Sequence, residues 1–372
     1  MSNSTENVQN EPFARVIKRA ELSAGKTTLL RLSAVLLSLI AGGVFIACVG
    51  QNPFVIYGTI LSGAFRSMMA FQGTIKLMIP LLISSLGVTL AFKMKFWNIG
   101  AEGQIIFGAT CATFFALFCS GMNHVLLIIV MFLAGFIGGG LWGLIPAIFK
   151  VKYSTNETLF TLMLNYIALH IVSYLRDGPW MDPESQGFPK IARFDKNASL
   201  DKLCGIQFGW LIALILVIFV FVYLKFCKQG YEISVVGESQ DTARYAGMNV
   251  KKIVLRTMFL SGGICGMAGM IQATGSDITL TTSVAGGVGF TAIIVAWLAQ
   301  LNPFSILIVS FLFSVLEKGS SVVQSNFGLS TDCADVLQGI ILFFILGCEF
   351  FVRYRFVFRN KVPKFNKKEM EG

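Results

Sequence analysis

Two sets of polar side chains interrupt a chain that is otherwise strongly apolar. The first is Asn98, Glu102 and Gln104, in the stretch FWNIGAEGQIIFGA at 96–109. The second is Glu157, Thr161 and Asn165, spaced by four and therefore on one helical face. Amides, hydroxyls and carboxylates placed this way can bind a polar solute or tie helices together in lipid, and the residues alone leave both readings open. Catalysis fits less well. No metal-ligand spacing, nucleophile triad or Walker A loop occurs, and no cofactor or metal is expected. The two histidines are isolated. His124 reads as an interfacial residue, and His170 as a hydrogen-bonding residue facing a helix bundle rather than a proton relay.

The elements that carry these groups follow from composition. The chain has 372 residues, of which 55% are hydrophobic and 13% charged, with a mean hydropathy of +0.70. Soluble domains carry roughly a quarter charged residues. An all-α polytopic membrane protein is therefore expected. About ten spans are predicted, near 29–49, 74–92, 103–120, 125–149, 157–175, 207–226, 253–273, 284–300, 304–322 and 334–352. Residues 53–72 read as an extra interfacial helix, because Arg66 and Gln72 interrupt it. The first 28 residues are polar and basic and precede a retained first helix rather than a cleaved signal.

The formal charge of +10 is read as topology rather than nucleic-acid binding. With an even number of spans and the N-terminus in the cytoplasm, most of the 30 Lys and Arg fall inside. Both termini are then cytoplasmic, with a basic tail at 353–372. The loop 176–206 is external, an ordered lid or docking surface, and 228–252 is internal. Within the inner loop, SQDTARYAG fits a short helix that Ser239 or Asp241 caps and Gly247 stops. The eight cysteines show no CxxC spacing and read as small packing residues. Gly135, Gly139 and Gly143, and again Gly262 and Gly266, recur every four residues. That spacing predicts close helix approach, against the alternative that glycine is simply common in membrane helices.

For the opening cluster, one reading is a helix cap, since Glu102 near a helix N-terminus is favoured by the macrodipole. The sharper reading is a helix start bordering a translocation path, where irregular backbone is covered by protein or a watery cavity.

Four segments in order resemble one family. NIGAEGQ at 98–104 resembles the signature of permease subunits of ATP-binding-cassette importers for nucleosides, within the branched-chain amino acid and simple sugar permease group. NETLFTLMLNYIAL at 156–169, VVGESQDTARYAGMNVKK at 235–252 and GVGFTAIIVAWLAQLNP at 287–303 resemble its further motifs. The resemblance covers 96–303 and leaves out the first 28 residues and the tail after 352. This sequence departs from the pattern at Trp97, at Ser239-Gln240-Asp241, and at Trp297 and Gln300, which bears on solute preference.

The resemblance implies a type II importer permease, with one permease domain over 29–352 and no catalysis of its own. It implies a solute path bordered by Asn98, Glu102, Gln104, Glu157, Thr161, Asn165 and Phe290. It also implies a coupling loop carrying Glu238, Asp241, Arg244, Tyr245 and Gly247. Implied partners are an ATPase subunit, a second permease (a paralogue rather than an identical copy), an extracytoplasmic solute-binding lipoprotein and a small hydrophilic solute, with no nucleic acid. The implied location is the bacterial inner membrane. Nucleosides are the expected solutes, purine nucleosides among them, with phenylalanine rings available to stack on bases. The alternatives are a simple sugar permease or a self-powered secondary transporter. For the latter, Glu317, Lys318 and Glu349 are the ionisable candidates, all near predicted span ends.

Overall fold

The computed structural model describes residues 14–18, 24–185, 187–328 and part of 336–358. The first 28 residues, the tenth expected span at 334–352, the basic tail, Cys333 and Glu349 fall wholly or partly outside the described residues. The chain divides into two compact units, 1–56 with 332–372, and 57–331.

In the first unit, α1 (Ala24–Cys48) is the long helix. A short strand, β1 (Ala14–Lys18), pairs antiparallel with Tyr354–Phe358. The helix α2 (Pro53–Phe65) begins in this unit and ends in the second.

The second unit holds the helices that carry the polar clusters. They are α3 (Met68–Lys93), α4 (Ala101–Phe118), α5 (His124–Tyr153), α6 (Glu157–Asp177), α7 (Gly209–Phe226), α8 (Lys228–Glu238), α9 (Gln240–Tyr245), α10 (Val250–Ile271), α11 (Val288–Leu298) and α12 (Pro303–Phe327). Local chemistry sets many of their starts. Asn123, Asn156, Asn249 and Asn302 each cap a following helix by accepting backbone N–H groups, and Pro303 sits where the missing N–H costs nothing. Ser67 caps α3 in the same way. The expected interfacial helix at 53–72 is therefore broken at Arg66–Ser67, and α3 starts earlier than the predicted residue 74.

Seven helices among the described residues are long and apolar enough to cross a membrane, and α1 and α2 reach that standard only taken together. The expected span at 284–300 contracts to α11. Its 11 residues reach about 16 Å, roughly half the hydrocarbon core. Two left-handed residues, Gln300 and Leu301, then turn the chain into α12.

The most extensive helix packing is between α5 and α10, with α4 against both. The glycine spacings explain it. Gly139 lies against the carbonyl of Gly262, and Gly266 against the carbonyl of Gly135, so a Cβ at Gly139, Gly262 or Gly266 would strike backbone. Gly108 of α4 meets Gly266 in the same place. Close approach is thus the reading that holds for both glycine series.

The helix α3 is apolar around its circumference and enclosed, with Leu82, Ile83, Leu86 and Leu90 fully buried. By contrast α5 exposes Val125, Leu126, Ile129, Leu133, Ile137 and Leu141 along one side. That surface suits lipid and would be a liability in water.

The loop after α6 is ordered. It closes with a hairpin, Lys202–Leu203 against Ile206–Gln207, turning through left-handed Cys204 and Gly205. It is pinned to three helix ends. Gln72 donates to the Cys204 carbonyl at 3.0 Å, and the Leu200 amide donates to the Thr274 carbonyl at 3.1 Å. The two ring nitrogens of His124 lie 2.9 Å from the Asn197 carbonyl and 3.1 Å from the Asp201 carboxylate.

Two expectations are corrected here. His170 is exposed, because α6 buries Thr161, Leu164, Asn165, Ala168 and Val172, a stripe that His170 does not share. Cysteines serve packing only in part. Cys265 is buried, whereas Cys48, Cys204 and Cys227 are exposed.

Candidate functional site

The segment 94–100 links α3 to α4 without regular structure; backbone carbonyls take the amides of residues 94–96 and 98, and side chains take those of Ile99 and Gly100. The two polar sets meet here. The Asn165 side chain accepts from the Gly103 amide at 2.8 Å and donates to the Ile99 carbonyl at 2.9 Å. Thr161 Oγ1 accepts from the Ile99 amide at 3.2 Å. Asn98 Oδ1 accepts from the Gly100 amide at 3.0 Å, and Asn98 and Gln104 exchange amide hydrogen bonds at 3.2 and 3.3 Å. All four side chains are buried. They form one network that replaces the missing helix bonds at the start of α4 and fastens α6 to it. Gly103 lets the Asn165 side chain and the Trp142 ring come this close.

Glu102 faces elsewhere. Its two carboxylate oxygens accept the amides of Gly287 and Gly289, both at 2.8 Å. These are the N-cap and second residues of α11, so a carboxylate from one helix start caps another. Gly287 is left-handed, with φ +82°. A Cβ on Gly289 would run into the Glu102 backbone, so the close approach depends on glycine there. Phe290 follows directly and is 41% exposed. Glu157 stands apart, at the first turn of α6, paired with Lys150 at 2.7 Å. Of the seven expected path residues, four therefore share one network. Glu102 and Phe290 both stand at the start of α11, and the Glu157 side chain joins neither group.

The other end of α11 is held by rings. Trp297, in its last turn, stacks on Trp97 at a centroid distance of 5.7 Å and 24°. Phe92, at the end of α3, lies 5.7 Å from each. Trp97 and Trp297 stand out in the sequence as departures from a pattern, but nothing local places them together.

The segment 228–252 forms two helices rather than one. Reading SQDTARYAG finds α9, with Ser239 Oγ accepting from Thr242 and left-handed Gly247 ending the turn. It misses α8, which the KQGY start does not advertise. Gly230 packs on Tyr223 and Leu224, and Gly237 on the Lys93 carbonyl and Met94, so α8 is pressed onto the ends of α7 and α3. Arg256 and Glu232 pair at 2.9 Å across α10 and α8. Along α9, Asp241 and Arg244 pair at 2.9 Å in the open, and Tyr245 is 93% exposed. Glu238 and Gly247 are exposed beside them.

The comparisons with known proteins agree with this architecture. The family model described as branched-chain amino acid transport system, permease component, matches residues 69–346. The chain is 31% identical over 334 residues to a glucose ABC transporter permease protein of Haloferax volcanii, covering 86% of this chain and 87% of the relative. It is 28% identical over 326 residues to the guanosine ABC transporter permease protein NupP of Bacillus subtilis, covering 85% and 92%. It is 28% identical over 331 residues to the nucleoside ABC transporter permease protein NupB of Lactococcus lactis, covering 86% and 91%. With its bundle of apolar helices and a family match over most of its length, the chain belongs to the family of permease components of branched-chain amino acid transport systems.

Proposed function

We propose that this multi-pass membrane protein is the path-forming subunit of an ATP-driven importer for nucleosides. The observation that carries this is the match, over nearly the whole chain, to two relatives named for guanosine and nucleoside transport. The glucose permease relative at 31% identity favours a second reading, in which the solute is a simple sugar.

In this reading the start of α4 and the start of α11 border the path, with Asn98, Glu102, Gln104, Glu157, Thr161, Asn165 and Phe290 as the residues concerned. Hydrolysis belongs to a separate ATPase subunit. That subunit meets the α8–α9 segment through Glu238, Asp241, Arg244, Tyr245 and Gly247. The capped helix with an exposed tyrosine supports this, since such a knob fits a cleft in a soluble partner. A paralogous second permease and a solute-binding lipoprotein complete the assembly in the bacterial inner membrane. Both termini lie in the cytoplasm, which the distribution of Lys and Arg supports.

Uptake of labelled guanosine into vesicles that hold the full assembly, with and without ATP and with excess unlabelled glucose, tests the proposal. ATP-dependent uptake that glucose leaves unchanged is the expected result. Uptake abolished by glucose selects the sugar reading, and uptake without ATP removes the importer reading.

A further inference from the structure

The helix α11 is too short to span a bilayer, yet both its ends are held by one eleven-residue stretch of chain, 92–102. At its start, Glu102 takes the amides of Gly287 and Gly289 at 2.8 Å each. At its end, Trp297 lies between Trp97 and Phe92, three rings each 5.7 Å from the other two. The stretch is in turn stiffened by the buried Asn98–Gln104–Asn165 network. On its other side, Gly237 at the end of α8 sits directly on the carbonyl of Lys93, with no side chain between to absorb a displacement.

We infer that 92–102 and α11 move as one piece, and that Trp97 and Trp297 are positioning residues that pass a displacement of α8 to α11. The inference rests on the proposed reading of the chain as an ATP-driven permease whose α8–α9 segment receives the work. A helix gripped at one end only would pivot on that grip. Gripped at both ends, it follows the stretch that holds it. The rings grip without direction-specific bonds, so they tolerate sliding while keeping contact. The stack joins 92–102 to α11, so losing it separates movement of solute from hydrolysis rather than abolishing hydrolysis.

The test uses the complete transporter in proteoliposomes, with uptake and binding-protein-stimulated ATP hydrolysis measured in parallel for guanosine and for glucose. Trp297→Ala is expected to lower uptake about tenfold, the scale set by one aromatic pair, while stimulated hydrolysis stays within about twofold of the parent. More ATP is then spent per solute moved. Trp97→Phe and Trp297→Phe, which keep a ring, restore the parental ratio. The double variant Trp97→Ala/Trp297→Ala loses no more than Trp297→Ala alone, because Trp297→Ala already removes both ring contacts that hold α11. Uptake and hydrolysis falling in parallel, or additive losses in the double variant, overturn the inference. Alanine variants that do not yield a monodisperse assembly leave the phenylalanine variants to decide, and an altered ATP-to-solute ratio in both would overturn it. A parent that moves neither solute on ATP removes the importer reading and this inference with it. A parent that transports, with the alanine variants at the parental ratio, removes this inference alone.

Discussion

Glu102 and Gly289 lie 187 residues apart in sequence, yet the carboxylate of one holds the amide of the other at 2.8 Å. The contact joins the first turns of α4 and α11 and leaves no room for a side chain on Gly289. Glu102→Gln keeps the size but removes the charge and turns one acceptor into a donor facing an N–H. A charge-assisted bond of this kind contributes about 1.5–3 kcal/mol. Uptake is expected to fall with the amount of assembled protein unchanged, whereas Gly289→Ala, whose Cβ meets the Glu102 backbone, is expected to lower uptake and the assembled amount together. Normal uptake in both would reduce the contact to an ordinary helix cap.

Asn165 ties α6 to the start of α4 through two bonds to backbone. Asn165→Ala leaves the Gly103 amide and the Ile99 carbonyl without partners in a buried place. The expected destabilisation is about 1–3 kcal/mol for each group so orphaned. Thermal unfolding of the purified protein in detergent reads it directly, as an earlier transition than that of Tyr166→Ala, an exposed position on the same helix.

The crossing of α5, α10 and α4 depends on hydrogen in place of Cβ. Gly266→Val drives a branched side chain into the Gly135 carbonyl and the backbone of Gly139. Backbone cannot yield as a side chain tip can, so the yield of folded protein should collapse. Gly121→Val, where a Cβ meets nothing within 4 Å, should have no such effect. Equal yields of the two would mean the helices tolerate separation there.

Tyr245 and Gly247 stand at the exposed end of α9. If this is the ATPase contact, Tyr245→Ala should weaken co-purification of the ATPase, since an interface anchor costs on the order of 2 kcal/mol on truncation. Gly247→Val should act by strain, because Gly247 is left-handed with φ +75°. Stimulated hydrolysis should fall in both. Full association and full stimulation in both variants would place the handle elsewhere.

Asn197 is exposed in the loop after α6, and its carbonyl makes the 2.9 Å contact with His124. Asn197→Cys in a background whose other exposed cysteines are replaced should react with an impermeant thiol reagent added to intact cells. Reaction only after permeabilisation would invert the orientation.

Much of the fold is legible in the amino-acid sequence because its causes are local. Apolar runs of about 20 residues can hide their backbone only as helices, and α3 to α7, α10 and α12 appear within a few residues of where such runs lie. Asparagine and serine caps and the left-handed Gly247 depend on neighbours two to four residues away, so Ser239 and the helix after it can be read without a structure. The glycine series states that helices approach, since spacing by four is a property of one helix face.

The tertiary structure alone decided the partners. Asn98, Gln104, Thr161 and Asn165 could face solute or each other by type and spacing, and only the packing of α6 on α4 makes them one network. Glu102 lies on the same first turn and yet points to residues that arrive nearly two hundred positions later. The pairing of Trp97 with Trp297 and the seat of Gly237 on Lys93 have the same origin. Burial periodicity reports which side of a helix is covered, but what covers it depends on how distant helices cross, and that is a property of the whole packed bundle.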